Sequence, residues 1–214
     1  MGARDEILGK LARKKQGGGA TGISGHMKPA VAMKTGEEMV AQFREKAVKL
    51  SCGLSELSRL SEVPGEIERV LGEIGTMPVL HVSDEPELAS LPWEDVPGLR
   101  TSREMDRDAL DGVAAVSACA AASAETGALA LTSDADHVTG IAFLPDFHFV
   151  VLRKSQIVSG FEGIWTAARA KGGNRDLPRA VNIIGGPSRT GDIEATMVMG
   201  AHGPRSVHIL LVDG

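Results

Sequence analysis

Apolar residues recur three and four apart after Thr35. Met39, Val40, Phe43, Ala47 and Leu50 fall on one stripe, and Thr35-Gly-Glu-Glu38 ahead of them has the form of a capping box. The spacing predicts a helix that ends near Cys52. A second helix is predicted from Pro64, a favoured first helical position, through Ile67, Val70, Leu71 and Ile74 to Gly75. A third runs from about Gly160 to Lys171, with Phe161, Ile164, Trp165 and Ala168 inward and Gly172-Gly-Asn174 at its end. Ile7, Leu8 and Leu11 fit a short amphipathic helix over residues 3–15.

Period-two and β-branched runs predict strands at Met77–Val82, Gly127–Thr132 and Phe147–Leu152, with a short extended piece at Gln156–Val158. In the strand entered from Leu144-Pro-Asp146, His148 shares a face with Val150 and Leu152 and reads as a satisfied core histidine. Residues 84–101, with Pro86, Pro92 and Pro97, read as a loop with short helical turns. Residues 111–126 are so small and alanine-rich that helix propensity and close packing cannot be separated.

The most structured pattern lies near the C-terminus. Ala180–Ile184 and Ser206–Val212 are β-branched runs, and between them Ile193, Ala195, Met197, Val198 and Met199 read as one buried helix. Gly185-Gly-Pro-Ser-Arg-Thr190 would then be a strand-to-helix turn, with Ser188 and Thr190 capping the helix and its first amides open to an anion. Asp192 and Glu194 in the first turn repel a phosphate and Arg189 opposes them, so a simple phosphate cradle is disfavoured. At the other end His202 and Arg205 either cap the helix or face a ligand. Alternating strands and helices imply an α/β sheet with helices on its faces, and the ligand crevice is expected beyond the carboxyl ends of the strands. Residues 1–25 are expected to be a short helix and a glycine-rich linker, and residues 26–214 a single α/β domain.

Composition changes this picture mainly by exclusion. A net charge of -5 and a chain with no tyrosine give neither the basic face nor the stacking platforms of a nucleic-acid binder. The two cysteines, Cys52 and Cys119, sit in no CxxC pair and cannot supply the four thiolates usual for an iron-sulfur cluster. No apolar run approaches the roughly 20 residues of a membrane span, so a cytoplasmic protein is expected. Gly17-Gly-Gly-Ala-Thr-Gly22 fits a dinucleotide pattern but lacks the preceding strand and following helix. A metal site from Asp192, Glu194 and His202 is not supported, because residues two apart on a helix diverge by about 200 degrees.

Together, Ala124-Glu-Thr-Gly127, Leu144-Pro-Asp-Phe-His148, Gly186-Pro-Ser-Arg-Thr-Gly-Asp-Ile-Glu194 and Gly200-Ala-His-Gly-Pro-Arg205 resemble the lactate-utilisation protein C family, stand-alone members of the LUD-domain group. The resemblance implies a Rossmann-like sheet flanked by helices, related to the ribose-phosphate isomerase, glucosamine-phosphate deaminase and CoA-transferase group. It implies a non-redox component acting with iron-sulfur partner proteins in oxidising L-lactate to pyruvate, the chain itself binding no cofactor. The ligand-contacting residues expected are Thr126, Gly127, Gly186, Pro187, Ser188, Arg189, Thr190, His202, Gly203 and Arg205, for a small carboxylate or phosphate. The alternative is an independent small-molecule enzyme or ligand-binding protein of that fold group, the enzyme having Glu125, Asp192, Glu194 or His202 as acid or base.

Overall fold

A computed structural model describes residue 4 and residues 29–75, 79–134, 138–172, 177–191, 197–200 and 202–213. The helices are α1 (Gly36–Lys49), α2 (Val63–Ile74), α3 (Pro86–Ala89), α4 (Arg107–Leu110) and α5 (Phe161–Lys171). The strands are β1 (Gly53–Leu57), β2 (Val79–Val82), β3 (Arg100–Ser102), β4 (Ala114–Ala118), β5 (Ala121–Ser123), β6 (Leu129–Thr132), β7 (Phe147–Arg153) and β8 (Ile157–Val158), followed by β9 (Val181–Ile184), β10 (Arg189–Gly191), β11 (Met197–Met199) and β12 (Ser206–Val212). The expected helix over residues 3–15 and linker over 17–25 lie outside the described residues, apart from Arg4.

The main sheet has six strands in the order β1-β12-β7-β4-β2-β3, and every pairing in it is parallel. Strands buried on both sides lose the alternation of a half-exposed sheet, and Val207 and Ile209–Val212 are all buried. Alternate residues nevertheless serve different cores. Leu210, Val212, Phe149, Val151 and Val116 pack with Val63, Ile67, Val70 and Leu71 of α2. Fully burying each of these apolar side chains contributes on the order of 2 kcal/mol. Val207, Ile209, Leu211, Val150 and Leu152 face the opposite way, onto Val40, Phe43 and Ala47 of α1.

That second face departs from the sequence expectation of helices alone. Beside α1 it carries a four-stranded mixed sheet, β8-β5-β6-β9, whose Ala122, Leu129 and Leu131 enter the same core. α5 covers the outer side of this sheet through Ile164, against Ala121 and Ala130. The layers are thus helix, main sheet, helix with small sheet, and helix.

The alanine run becomes intelligible in this setting. β4 and β5 belong to different sheets, joined only by Cys119 and Ala120, and residues 114–118 and 121–123 are buried throughout. Small side chains let two sheets meet at this corner, and tertiary packing overrides the low strand propensity of alanine. Residues 84–101 hold the short helical turns expected, α3 and a single turn at Trp93–Asp95, and lead into the edge strand β3, which was not expected. Trp93 is buried and its Nε1 donates to Leu88 O at 2.8 Å.

α2 begins and ends as expected, with Pro64 in its first turn and Gly75 in the left-handed region at φ 74°. The capping box expected ahead of α1 is not formed, because Thr35 is the N-cap but its side chain makes no cap hydrogen bond. His148 is a core residue, with Nε2 2.8 Å from Ser117 Oγ. Among the described residues no helix is long and apolar enough to cross a membrane.

Candidate functional site

Where it is described, the segment singled out in the sequence is not helical. Arg189–Gly191 and Met197–Met199 are the two antiparallel strands of a separate hairpin, with Arg189 opposite Met199 and Gly191 opposite Met197. Hence there is no helix amino terminus at Ser188–Thr190 to receive an anion, and no helix end for His202 and Arg205 to cap. Asp192 and Glu194 lie outside the described residues. The hairpin is closed at its base by hydrogen bonds that use motif residues. Ser188 N donates to Pro204 O at 2.8 Å, and Gly200 N donates to Ser188 O at 3.1 Å. His202 N donates to Ser188 Oγ at 3.3 Å. The motif therefore ties the residues before β10 to those before β12.

Two of its glycines are required by close packing. Gly186 has φ 101°, and a Cβ there would lie 2.2 Å from Leu50 O. Gly127, at φ 79°, would place a Cβ 2.7 Å from Ala47 N. Both abut the carboxyl end of α1, and the register that pairs Leu129 with Ile184 brings their two turns to one end of the small sheet. Thr126 Oγ1 accepts from Ala128 N at 3.2 Å. Glu125 Oε2 accepts from Phe161 N at 3.0 Å, so this carboxylate satisfies an amide at the start of α5. In the described structure Glu125 thus has a helix-capping role.

His202 and Gly203 border two neighbouring clefts. One, of about 200 Å³, is lined by Ala142, Phe143, Ile183–Gly186, Ser188 and Pro204. The other, of about 330 Å³, is lined by Asp111, Phe143, Leu144, Asp146 and Gly200. Arg205 Nε lies 3.2 Å from Asp146 Oδ1. Arg189 and Arg205 are exposed. The site so assembled unites Gly186, Ser188, His202, Gly203 and Arg205 with Phe143, Asp111 and Asp146. Phe143 and Asp111 stood in no motif, and Asp146, although part of Leu144-Pro-Asp-Phe-His148, was not among the ligand-contacting residues expected.

Its place in the sheet also differs from expectation. The segment follows the carboxyl end of β9, yet it lies at the amino edge of the main sheet: Ser206 N donates to Asp146 O at 3.0 Å and Phe147 N to Val113 O at 3.1 Å, just where β12 and β7 begin. At the opposite edge the chain turns one way from β2 and the other from β4, the point where such sheets commonly open a crevice. Here the buried Glu85 fills it, with Oε1 accepting from Ala118 N at 3.2 Å.

A second polar cluster was not legible from the sequence. Glu66 accepts from the Ser55 hydroxyl, and Ser55 Oγ lies 2.8 Å from His208 Nε2. Arg69 hydrogen-bonds to Glu66 at 2.7 and 2.8 Å and holds its carboxyl below the usual range. Because that carboxylate only accepts, the single Ser55 proton points to it and His208 Nε2 carries the hydrogen donated to Ser55. Burial pushes the His208 pKa down. Gly53 makes room for the ring, since a Cβ there would be 2.3 Å from Nδ1.

The cysteines are not a ligand set in waiting. Both are buried, and burial pushes the Cys52 thiol up to about 11 and the Cys119 thiol up to about 12. Among the described residues no group of three or more His, Cys, Asp or Glu side chains is placed to hold a metal ion.

A parallel α/β sheet, a second small sheet and a glycine-dependent hairpin base beside His202 define an α/β domain whose distinctive loops gather at one sheet edge. The chain belongs to the LUD-domain family, matching the LUD domain over residues 23–212. It is similar to lactate utilization protein C of Deinococcus radiodurans, with 31% identity over 189 residues covering 86% of this chain and 84% of that one. Lactate utilization protein C of Geobacillus kaustophilus is 27% identical over 240 aligned positions, covering 98% and 96%. A crystal structure of a DUF162-family protein from Deinococcus radiodurans shares the fold, with a TM-score of 0.58, 24% identity and coverage of 82% and 97%.

Proposed function

We propose that this chain is a non-redox component of a cytoplasmic system that oxidises L-lactate to pyruvate together with iron-sulfur partner proteins. The observation that carries the reading is similarity to a protein named for lactate utilization over most of both chains. Both thiols are free and buried, which supports placing the electron-accepting groups in partners, since a cysteine pair is the side-chain couple that takes up two electrons reversibly. In this reading the clefts at His202 hold a small carboxylate or a docking segment of a partner, with Arg189 and Arg205 as the exposed cations. The wholly parallel main sheet supports a relation to the ribose-phosphate isomerase, glucosamine-phosphate deaminase and CoA-transferase group.

Affinity purification of the tagged chain from lactate-grown cells tests the partner claim. Iron-sulfur proteins should co-purify with the wild type and be depleted with His202→Ala. Their absence from the wild-type eluate would contradict it.

The clefts themselves favour one second reading, an independent small-molecule enzyme. Among the described candidates Glu125 is a poor acid or base for it because its carboxylate caps α5, and His202 is the one that borders both clefts. Turnover of a phosphosugar or acyl-CoA substrate by the pure protein, lost with His202→Ala, would establish that reading in place of the first.

A further inference from the structure

The Arg205 side chain is held against the wall of a cleft although it is 61% exposed. Its stem crosses Gly200, where φ is 79° and a Cβ would lie 2.4 Å from Arg205 Cγ, and its Nε meets Asp146 Oδ1 at 3.2 Å. Gly200 and Asp146 both line the cleft of about 330 Å³ beside His202. Among the described residues Asp146 is the ion-pair partner of Arg205, and it engages Nε, not the terminal Nη nitrogens. A guanidinium held by its stem and Nε presents those Nη donors as a fork for a carboxylate. Arg189, the other exposed cation of the motif, exerts its charge on Cys52.

The same cleft carries a second carboxylate. Asp111, which follows α4, lines it, is exposed and has no ion-pair partner among the described residues, whereas Asp146 is engaged by Arg205. An ionised carboxylate accepts hydrogen bonds and donates none, so Asp111 repels an anionic ligand unless that ligand brings a hydroxyl to it. His202 can donate or accept and does not discriminate. Phe143 and Leu144 give the cleft an apolar wall.

We infer that this cleft selects a small 2-hydroxy acid over its keto and unsubstituted analogues. Arg205 takes the carboxylate, Asp111 accepts from the hydroxyl, and Gly200 is a positioning residue for Arg205. The inference rests on the reading of this cleft as a carboxylate site and names the groups that set its specificity. An acceptor that receives the hydroxyl of L-lactate repels the carbonyl oxygen of pyruvate, so the hydroxy acid is held in preference to the keto acid. A polar group built to meet a hydroxyl discriminates more sharply than an apolar contact, because the analogue without the donor leaves it unpaired.

Chemical-shift titration of the isotopically labelled full chain with L-lactate, pyruvate and propionate tests it. The wild type should bind L-lactate at least about tenfold more tightly than either of the others. Arg205→Ala should weaken binding of every acid by about tenfold. Asp111→Ala should bring lactate and propionate to parity. The ratio is the readout there, because the Asp111 charge repels all the acids alike and its removal raises every affinity. Gly200→Ala should weaken binding in the wild type and weaken it no further in Arg205→Ala, a non-additivity that a merely structural role would not give. Asp111 and Arg205 are exposed, so their variants keep the fold and the test stands if Gly200→Ala does not. Equal affinities in the wild type, or a lactate preference that survives Asp111→Ala, overturns the inference and leaves the carboxylate reading intact. A wild type that binds none of the acids overturns both.

Discussion

Gly186 sits against the end of α1 so closely that a Cβ on it would meet Leu50 O at 2.2 Å, in a backbone conformation with φ 101°. The glycine-rich start of the motif is therefore a packing requirement before it is anything else. Gly186→Ala combines a left-handed torsion with a clash against backbone, which cannot rotate away as a flexible side chain would. It should cost at least about 2 kcal/mol, read as a lower urea midpoint at unchanged m-value. An unchanged midpoint would mean that Leu50 and Gly186 are not in contact.

Glu125 is expected to matter for stability. Replacing it by Ala removes the acceptor for the Phe161 amide and should cost about 1 kcal/mol. Support of lactate growth by Glu125→Ala at a permissive temperature should remain near the wild type. Loss of that support with unchanged thermal stability would instead give the carboxylate a role in chemistry.

His208 should impose a pH dependence. Its folded pKa is lowered by burial, so the unfolded chain takes up the proton more readily than the folded one. Stability from the neutral ring is complete above the unfolded value of about 6.5 and declines as pH falls through it. Denaturation midpoints should drop between about pH 7 and pH 5.5, and His208→Gln should flatten the drop. Glu66 acts in a lower window, because its depressed pKa gives stability that is present above its unfolded value and lost on further acidification.

Cys52 and Cys119 should resist thiol reagents in the native state, since reaction needs the exposed thiolate and burial disfavours it for both. Labelling should be slow until denaturant is added and then go to two thiols per chain. Rapid native labelling of either would contradict their placement in the core.

The three long helices were legible because each carries an unambiguous 3.6-residue stripe, as with Val40, Phe43 and Ala47 in α1 or Ile67, Val70 and Leu71 in α2. The hairpin was not. Met197, Val198 and Met199 are apolar on every side, a run that fits a covered helix and a strand alike, and only the pairing of Arg189 with Met199 decides it. Three strands of the small sheet were legible as the extended runs at 127–132, 156–158 and 180–184, but their assembly into a separate sheet was not, because Ala121–Ser123, which joins them, owes its conformation to the layers around it. The site was half visible for a related reason. Gly186, Ser188 and His202 stand in one conspicuous motif, whereas Asp111 and Phe143 reach the clefts from other segments by tertiary packing.

The central claim is tested most directly by growth on L-lactate as sole carbon source. Deleting the gene should abolish growth, and wild-type protein should restore it. His202→Ala, exposed and within about 1 kcal/mol of wild-type stability, should not restore it. Undiminished growth of the deletion strain on lactate would contradict the account.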